Sequence, residues 1–189
     1  MKRRQALEML NYYNMALYPD DPELIQTLVT LAAANLTDQA DGYLLGEKAW
    51  PHVTLCQFQS EAGNLESIWW KVRSFVVPTV RFSQLYVKPG TKRHDGYIWV
   101  GLEVRQTPEL SQLQKNVFAQ LALETVDGLT RPDSYHPHLT LGRCRAERPL
   151  TISLFPALQF WQREYLFHIS IGLSDENGVY QKQLLASSP

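Results

Sequence analysis

Apolar residues recur along the chain with two periods, every second residue in some segments and every third or fourth in others. Residues 11–18 are dense in aromatic and apolar side chains, a composition typical of a strand. Leu24, Leu28 and Leu31 recur at helical spacing and predict a helix that runs to about Asn35. The chain is therefore expected to open with a strand followed by a helix.

The rest of the pattern continues this alternation of strands and helices. In chain order it predicts a strand Trp50–Phe58, a helix Asn64–Phe75, strands Val76–Val87 and Gly96–Val104, a helix from Pro108 to about Thr125, a strand His138–Cys144, and a terminal hairpin of Arg163–Leu173 and Val179–Leu185. The order of elements in the first half is roughly repeated in the second. The sequence therefore predicts a pseudo-duplication without a strict sequence repeat.

Composition and charge place the chain among ordinary globular proteins that bind no long nucleic acid. The 189 residues are 44% hydrophobic and 20% charged, enough to bury a core within one domain. The net charge of −1 excludes a global basic field. If RNA binds, we expect it to bind through a short end or as a mononucleotide.

The cysteines and the hydropathy pattern bear on the compartment. Cys56 and Cys144 form neither a disulfide framework nor a zinc-ribbon spacing. No apolar run approaches the roughly 20 residues that span a bilayer, and charged residues interrupt the first ten positions too soon for a signal peptide. We expect a cytoplasmic monomer with reduced thiols and no membrane partner.

The most informative feature is a motif that occurs twice, nearly half the chain apart. Pro51-His52-Val53-Thr54-Leu55 matches Pro137-His138-Leu139-Thr140-Leu141 position by position. Because side chains at i and i+2 of a strand share a face, each motif presents an imidazole beside a hydroxyl. One such pair alone is usually structural, but two matched copies favour a functional interpretation.

These two pairs suit chemistry at phosphorus. An imidazole titrates near neutrality and serves as a general acid or base, and a threonine hydroxyl is a compact donor to a phosphoryl oxygen. If the pairs face each other across a cleft, one histidine takes a proton from the attacking group and the other gives one to the leaving oxygen. No metal is required by this scheme.

The motifs, together with Gly142-Arg143 after the second, resemble the 2H phosphoesterase superfamily, in particular its bacterial 2′-5′ RNA ligase or RNA 2′,3′-cyclic phosphodiesterase branch. Tyr97–Leu102 and the helix that follows are similar to the family's elements before the second motif, and only Phe155–Arg163 matches no family pattern. The resemblance covers roughly residues 11–185. It implies an α+β fold over residues 1–189, with two pseudo-symmetric, intertwined lobes of antiparallel sheet, helices outside and a central cleft.

The resemblance also implies an activity and its residues. His52, Thr54, His138 and Thr140 are the expected catalytic set of a metal-independent phosphodiesterase, acting without a cofactor on an RNA 3′ end or a small cyclic nucleotide. The family suggests that His138 activates water and His52 protonates the leaving 3′-oxygen. A binding module without turnover and a metallohydrolase built on His136 and His138 are the alternatives.

Several other residues are open to two interpretations. Arg143 lies on the face opposite His138 if the strand is regular, where it would brace the lobes through a carboxylate, or else it binds substrate. Tyr97 and Trp99 share a face that could stack a base or belong to the core. Lys88, Lys92 and Arg93 are either solvated or guide an anion, and His94 is expected to be solvated in its polar loop. Cys56 is expected to continue the face of His52 and Thr54 as a small buried residue. For His168 a core or surface position is favoured over a place in the cleft.

Overall fold

The computed structural model describes residues 10–122 and 130–187. Its strands are β1 (Asn11–Pro19), β2 (Ala40–Leu44), β3 (Val53–Ser60), β4 (Phe82–Pro89), β5 (Tyr97–Val104), β6 (His138–Arg145), β7 (Phe167–Ser174) and β8 (Tyr180–Ala186). Its α-helices are α1 (Pro22–Leu36), α2 (Leu65–Val72), α3 (Pro108–Leu121) and α4 (Leu158–Gln162). No helix in the described ranges is long and apolar enough to cross a membrane.

The strands form two antiparallel sheets, which we call the first lobe (order β3-β1-β7-β8) and the second lobe (order β2-β6-β5-β4). In each lobe the strand that carries a motif, β3 or β6, pairs with the strand before a long helix, β1 or β5. The next strand comes from the other half of the chain, β7 in the first lobe and β4 in the second. This exchange interlocks the halves, and the predicted α+β fold with two pseudo-symmetric lobes is confirmed.

The two long helices, α1 and α3, begin with similar N-caps and occupy equivalent positions in the fold. The Asp21 carboxylate accepts from the Glu23 amide at 2.9 Å at the start of α1, and the Thr107 hydroxyl accepts from the Leu110 amide at 3.2 Å at the start of α3. Each helix then packs against the motif strand of the opposite lobe, α1 against β6 and α3 against β3. The helices therefore cover the motif strands from behind.

Strand β2 was not predicted from the sequence. Its residues include Asp41 and Gly42, which are poor strand formers, and its pairing with β6 contains an irregularity between Ala40 and Tyr43. It exists because the outer edge of β6 offers free backbone groups for it to pair with. Long-range pairing of this kind leaves no periodic signal in the segment itself.

Two strands begin later along the chain than the sequence predicts. The strand predicted over Val76–Val87 begins only at Phe82, and the first motif strand begins at Val53 instead of Trp50. The predicted end of the third helix, Thr125, lies outside the described residues. Helix α4 falls in the segment that matches no family pattern, where Phe160 stacks on Phe82 at 5.3 Å between ring centroids.

Candidate active site

Each motif strand contains a β-bulge at the leucine that follows the threonine. In the first lobe Ala16 pairs with Thr54 and Met15 pairs with Cys56, so Leu55 is skipped. In the second lobe the pairing partners of Thr140 and Gly142 are likewise consecutive residues of β5, so Leu141 is skipped. A bulge adds one residue to one strand and shifts its alternation.

The bulges decide which side chains share a face with the motifs. After each bulge the third residue beyond the threonine, Gln57 or Arg143, returns to the half-buried face of its strand, whereas Cys56 is fully buried. The expectation that Arg143 lies opposite His138 holds only for a regular strand and is wrong here. The expectation that Cys56 continues the His52 face is wrong for the same reason, although Cys56 is the small buried residue that was predicted.

The two motifs line one cavity of about 650 Å³, a volume usual for small-molecule sites. His52, Thr54, His138 and Thr140 all contribute to its wall. The described residues that line it include no aspartate and no glutamate. They do include four histidines and three cations: His52, His94, His136, His138, Lys88, Lys92 and Arg93. The cavity therefore has the charge of an anion site in a protein whose net charge is −1.

Both motif histidines are held by the same backbone contact. Nδ1 of His52 lies 2.8 Å from the Trp50 carbonyl, and Nδ1 of His138 lies 2.8 Å from the His136 carbonyl. Because a carbonyl only accepts, the hydrogen of the neutral ring lies on Nδ1 in each case. Nε2 is then the nitrogen available for proton transfer at both sites.

Burial favours the neutral form of both imidazoles. His52 is 7% exposed, and burial lowers its pKa to about 4, opposed by the hydrogen bond to Trp50 and assisted by His138. Burial also lowers the pKa of His138, opposed by its backbone hydrogen bond and assisted by the charges of His136 and Lys88. In the ligand-free protein both Nε2 atoms therefore carry a lone pair at neutral pH.

Asn14 is the residue that distinguishes the first motif, and sequence reasoning missed it. Its Nδ2 donates to Thr54 Oγ1 at 3.0 Å and lies 3.3 Å from His52 Nε2. Since Thr54 Oγ1 accepts from this amide, its own hydroxyl hydrogen is available to a ligand. A signal did exist in the sequence, because Asn14 is a polar residue within a largely apolar strand, and the structure places it fully buried.

Each motif histidine also contacts a buried tyrosine, and the geometry of this contact differs between the two lobes. Tyr180 stacks on His52 with 4.9 Å between centroids and 28° between planes, and its hydroxyl donates to Ser170 Oγ at 2.9 Å. Tyr86 meets His138 edge-on at 5.2 Å and 87°, and its hydroxyl lies 3.5 Å from Thr140 Oγ1. The tyrosine hydroxyl thus contacts the motif threonine in the second lobe only.

The two predicted substrate-binding residues lie beside the cavity and are not among the described residues that line it. Arg143 stacks over Tyr97 at 4.3 Å and donates to the Asp41 carbonyl at 2.9 Å and to His94 Nδ1 at 3.2 Å. A side chain at Gly42, which has φ of +76°, would collide with the Arg143 guanidinium. Arg143 therefore braces the wall behind His94, through a carbonyl and an imidazole instead of the carboxylate that was expected.

The other histidines have identifiable partners. His136 Nε2 lies 2.9 Å from Glu103 Oε1. His168 Nδ1 pairs with the Asp20 carboxylate, and Gln183 lies 2.9 Å from its Nε2, which agrees with a structural role. In the described ranges no group of three or more His, Cys, Asp or Glu side chains has an arrangement that could hold a metal ion.

Comparison with known proteins assigns this chain to a family. The sequence model of the 2′-5′ RNA ligase superfamily matches residues 20–170, and no curated protein sequence matches. Similar solved structures are a phosphoesterase (TM-score 0.60, 18% identity, covering 96% of this chain and 100% of that one) and E. coli LigT complexed with 3′-AMP (0.59, 17%, 96% and 100%). E. coli LigT complexed with NADP+ is a third (0.59, 19%, 95% and 99%). At these identities the likeness shows the fold, and the match over most of the sequence shows the family: the chain belongs to the 2′-5′ RNA ligase superfamily of 2H phosphoesterases.

Proposed function

We propose that this protein is a phosphodiesterase that opens 2′,3′-cyclic phosphates, or cleaves 2′-5′ linkages, at RNA or nucleotide ends. The observation that supports this proposal is that two anchored histidines, each with a threonine hydroxyl beside it, line one cavity whose described lining contains no carboxylate. A phosphodiester anion is favoured by such a wall. Two neutral imidazoles with available Nε2 atoms supply the acid and the base once substrate brings its charge.

The proposed step balances in atoms and protons. His138 takes a proton from water as the water oxygen bonds to phosphorus, the bond from phosphorus to the 3′-oxygen breaks, and His52 gives a proton to that oxygen. The product is a 2′-phosphate. The hydroxyls of Thr54 and Thr140 donate to the phosphoryl oxygens, which gain negative charge in the transition state.

The contacts of the two histidines support this division of roles. The Asn14 amide lies against His52 Nε2, so the lone pair that a base would use is occupied in the first lobe. A half-turn of the same amide would present Oδ1, which accepts from the protonated ring. The phosphate anion raises the pKa of the imidazoles that it contacts, so His52 receives its proton as substrate binds.

The ligands of similar structures support a nucleotide substrate. LigT has been crystallised with 3′-AMP and with NADP+. For this chain we propose an RNA 3′ end or a small cyclic nucleotide. Cys56 and Cys144 are both buried, and we propose the reducing cytoplasm as the location of the protein.

The test is a panel of 2′,3′-cyclic mononucleotides and 2′-5′ dinucleotides incubated with chelator-treated protein, with products resolved by chromatography. We expect ring opening to a 2′-phosphate without added metal. A 3′-phosphate product would mean that the substrate lies the other way round in the cleft. Tight binding without conversion would identify a binding module, and activity lost on chelation and restored by a divalent ion would identify a metallohydrolase.

A further inference from the structure

The segment Lys88–His94, which we call the basic loop, is an ordered wall of the cavity. The Gly90 amide donates to the Tyr97 carbonyl at 2.8 Å, and the His94 amide donates to the Thr91 carbonyl at 3.0 Å. A side chain at Gly90 would collide with the His94 backbone. The cationic side chains are therefore held at the cavity by a folded loop, not by a freely solvated one.

Two further contacts hold this loop in place from outside. Arg143 donates to His94 Nδ1 at 3.2 Å, so that nitrogen carries a lone pair, and burial together with the charges of Arg143 and Arg93 lowers the His94 pKa. Arg93 donates to the Glu176 carbonyl in the turn between β7 and β8. The basic loop of the second lobe is thus bonded across the cavity to the first lobe.

The tip of the loop is also strained. Lys92 has φ of +53°, the only non-glycine residue of the described chain in the left-handed region. A conformation of this kind is unfavourable for a residue with a Cβ atom and is concentrated at functional sites. The fold therefore tolerates a strained backbone that presents a lysine at the cavity wall.

The positive charge of this wall exceeds what one reacting phosphate requires. That phosphate already meets two imidazoles and two hydroxyls from the motifs. Lys88, Lys92 and Arg93 line the same cavity, and within residues 10–122 and 130–187 neither lysine forms an ion pair with a carboxylate. Trp99 lines this cavity as well, and its ring meets His94 edge-on at 5.1 Å.

We infer that the basic loop is a second phosphate subsite, and that the preferred substrate carries a phosphate besides the one that reacts. The inference rests on the proposed function. The second phosphate is either a 5′-phosphate on the same nucleotide or the next internucleotide phosphate of an RNA chain. A 2′,3′-cyclic mononucleotide without a 5′-phosphate leaves the subsite empty and is expected to be the poorer substrate.

The experiment compares kcat/KM for a 2′,3′-cyclic nucleotide with and without a 5′-phosphate, and for a dinucleotide that ends in the cyclic phosphate. Because contacts with exposed cations are weak, two of them should together give about a tenfold gain, which corresponds to about 1.4 kcal/mol. The gain should shrink as ionic strength rises. A gain with the 5′-phosphate, with the dinucleotide or with both identifies which phosphate occupies the subsite.

The variant Lys92→Gln/Arg93→Gln removes two charges of the loop. We expect it to lose most of the gain. The matched control is Lys71→Gln/Lys115→Gln, which removes the same charge from the exposed faces of α2 and α3 and should keep the gain. Equal kcat/KM for all three substrates in the unmodified protein, or equal loss in both variants, would overturn the subsite.

A binding measurement separates failure of the subsite from failure of the proposed function. The probes are a nucleoside 3′,5′-bisphosphate and the nucleoside 3′-monophosphate, compared by calorimetry. The bisphosphate should bind about tenfold more tightly, and the Lys92→Gln/Arg93→Gln variant should remove that difference. If no cyclic phosphate is turned over, the proposed function fails while this ratio still decides the subsite. Equal affinities would reject the subsite even if hydrolysis is observed.

Discussion

The two halves of the cavity share a scaffold and differ in what surrounds it. Both present His-x-Thr on a strand, both contain a bulge at the next leucine, and both hold Nδ1 on a carbonyl two residues earlier. In the first lobe, however, Nε2 of His52 meets the Asn14 amide, whereas no such amide accompanies His138 in the described chain. The shared parts orient two equivalent imidazoles, and the parts that differ can give them different protonation states.

The difference arises from strands that the two lobes do not share. Strand β3 is at the edge of its sheet, whereas β6 is flanked by β2 and β5. Strand β8 brings Tyr180 to His52, and the end of β4, where the basic loop begins, brings Lys88 near His138. Pseudo-symmetry thus supplies the pair of proton carriers, and the additions to each sheet make the pair asymmetric.

The largest expected effect comes from removing either motif histidine. His52→Ala and His138→Ala should each lower kcat on a cyclic phosphate by roughly 10²-fold or more, because each removes one proton transfer. Circular dichroism should show an intact fold. A variant that keeps wild-type turnover would reduce that half of the cavity to a structural role.

A second substrate sharpens the comparison between the halves. A nitrophenyl phosphodiester has a leaving group that hardly needs a proton. His52→Ala should therefore retain relatively more activity on this ester than His138→Ala does. The reverse order would mean that the acid and the base are exchanged.

The next largest expected effect is on the free energy of unfolding, and it arises from the burial of His52. Its pKa falls from 6.5 in the unfolded chain to about 4 in the folded protein. The unfolded state therefore binds more protons below pH 6.5, and stability present above that pH is lost as pH falls towards 4. At about 1.4 kcal/mol per pKa unit, the loss attributable to His52 is about 3 kcal/mol.

Urea unfolding at pH 7 and pH 4.5 measures most of this loss. The His52→Gln variant replaces the imidazole by a side chain that does not titrate, so its stability should fall less than that of the wild type between the two pH values. The same decrease in both proteins would show that His52 is not the buried neutral group that the geometry indicates.

The sequence predicted the shared scaffold better than the differences. The motif pentapeptides are local, so their repetition was enough to single out His52, Thr54, His138 and Thr140, and strand alternation was enough to put each pair on one face. The bulges are not local, because they depend on the register of β3 with β1 and of β6 with β5. The face of Arg143 could not be predicted without them.

Tertiary pairing decided the remaining features. Asn14 reaches His52 only because β1 lies beside β3, although the two are nearly 40 positions apart. Tyr180 comes from the last strand, and β2 forms on an edge that only the folded sheet provides. The segment from Lys88 to His94 was recognisable as cationic, but its hydrogen bonds to Arg143 and Glu176 required the fold.

A smaller effect tests Asn14, the amide found in the first half only. Asn14→Asp places a carboxylate beside His52, which favours the imidazolium and should raise the His52 pKa by about one unit or more. The His138 pKa should respond less, because the charge is added in the other lobe. NMR titration of the imidazole protons in the ligand-free protein measures both.

The matched control for this charge is Asn14→Leu, which removes the amide without adding a carboxylate. It should leave the His52 pKa low, since burial is the main cause of its depression. Equal responses of the two histidines to Asn14→Asp would contradict the assignment of Asn14 to the first half.

The smallest expected effect separates the two tyrosines. The Tyr180 hydroxyl donates to Ser170 Oγ, and both residues are fully buried. Tyr180→Phe therefore leaves a buried hydroxyl without this donor and should cost about 1 kcal/mol of the free energy of unfolding, with turnover nearly unchanged.

The Tyr86 hydroxyl instead lies 3.5 Å from Thr140 Oγ1, a long contact that adds little stability but orients a hydroxyl that faces the cavity. Tyr86→Phe should therefore lower kcat/KM a few-fold, about 1 kcal/mol or less, with little change in unfolding. Urea unfolding and steady-state kinetics on the same two variants give the comparison. If Tyr180→Phe lowers turnover as much as Tyr86→Phe does, the tyrosines act alike on their histidines, and the asymmetry of the cavity would rest on Asn14 and the basic loop alone.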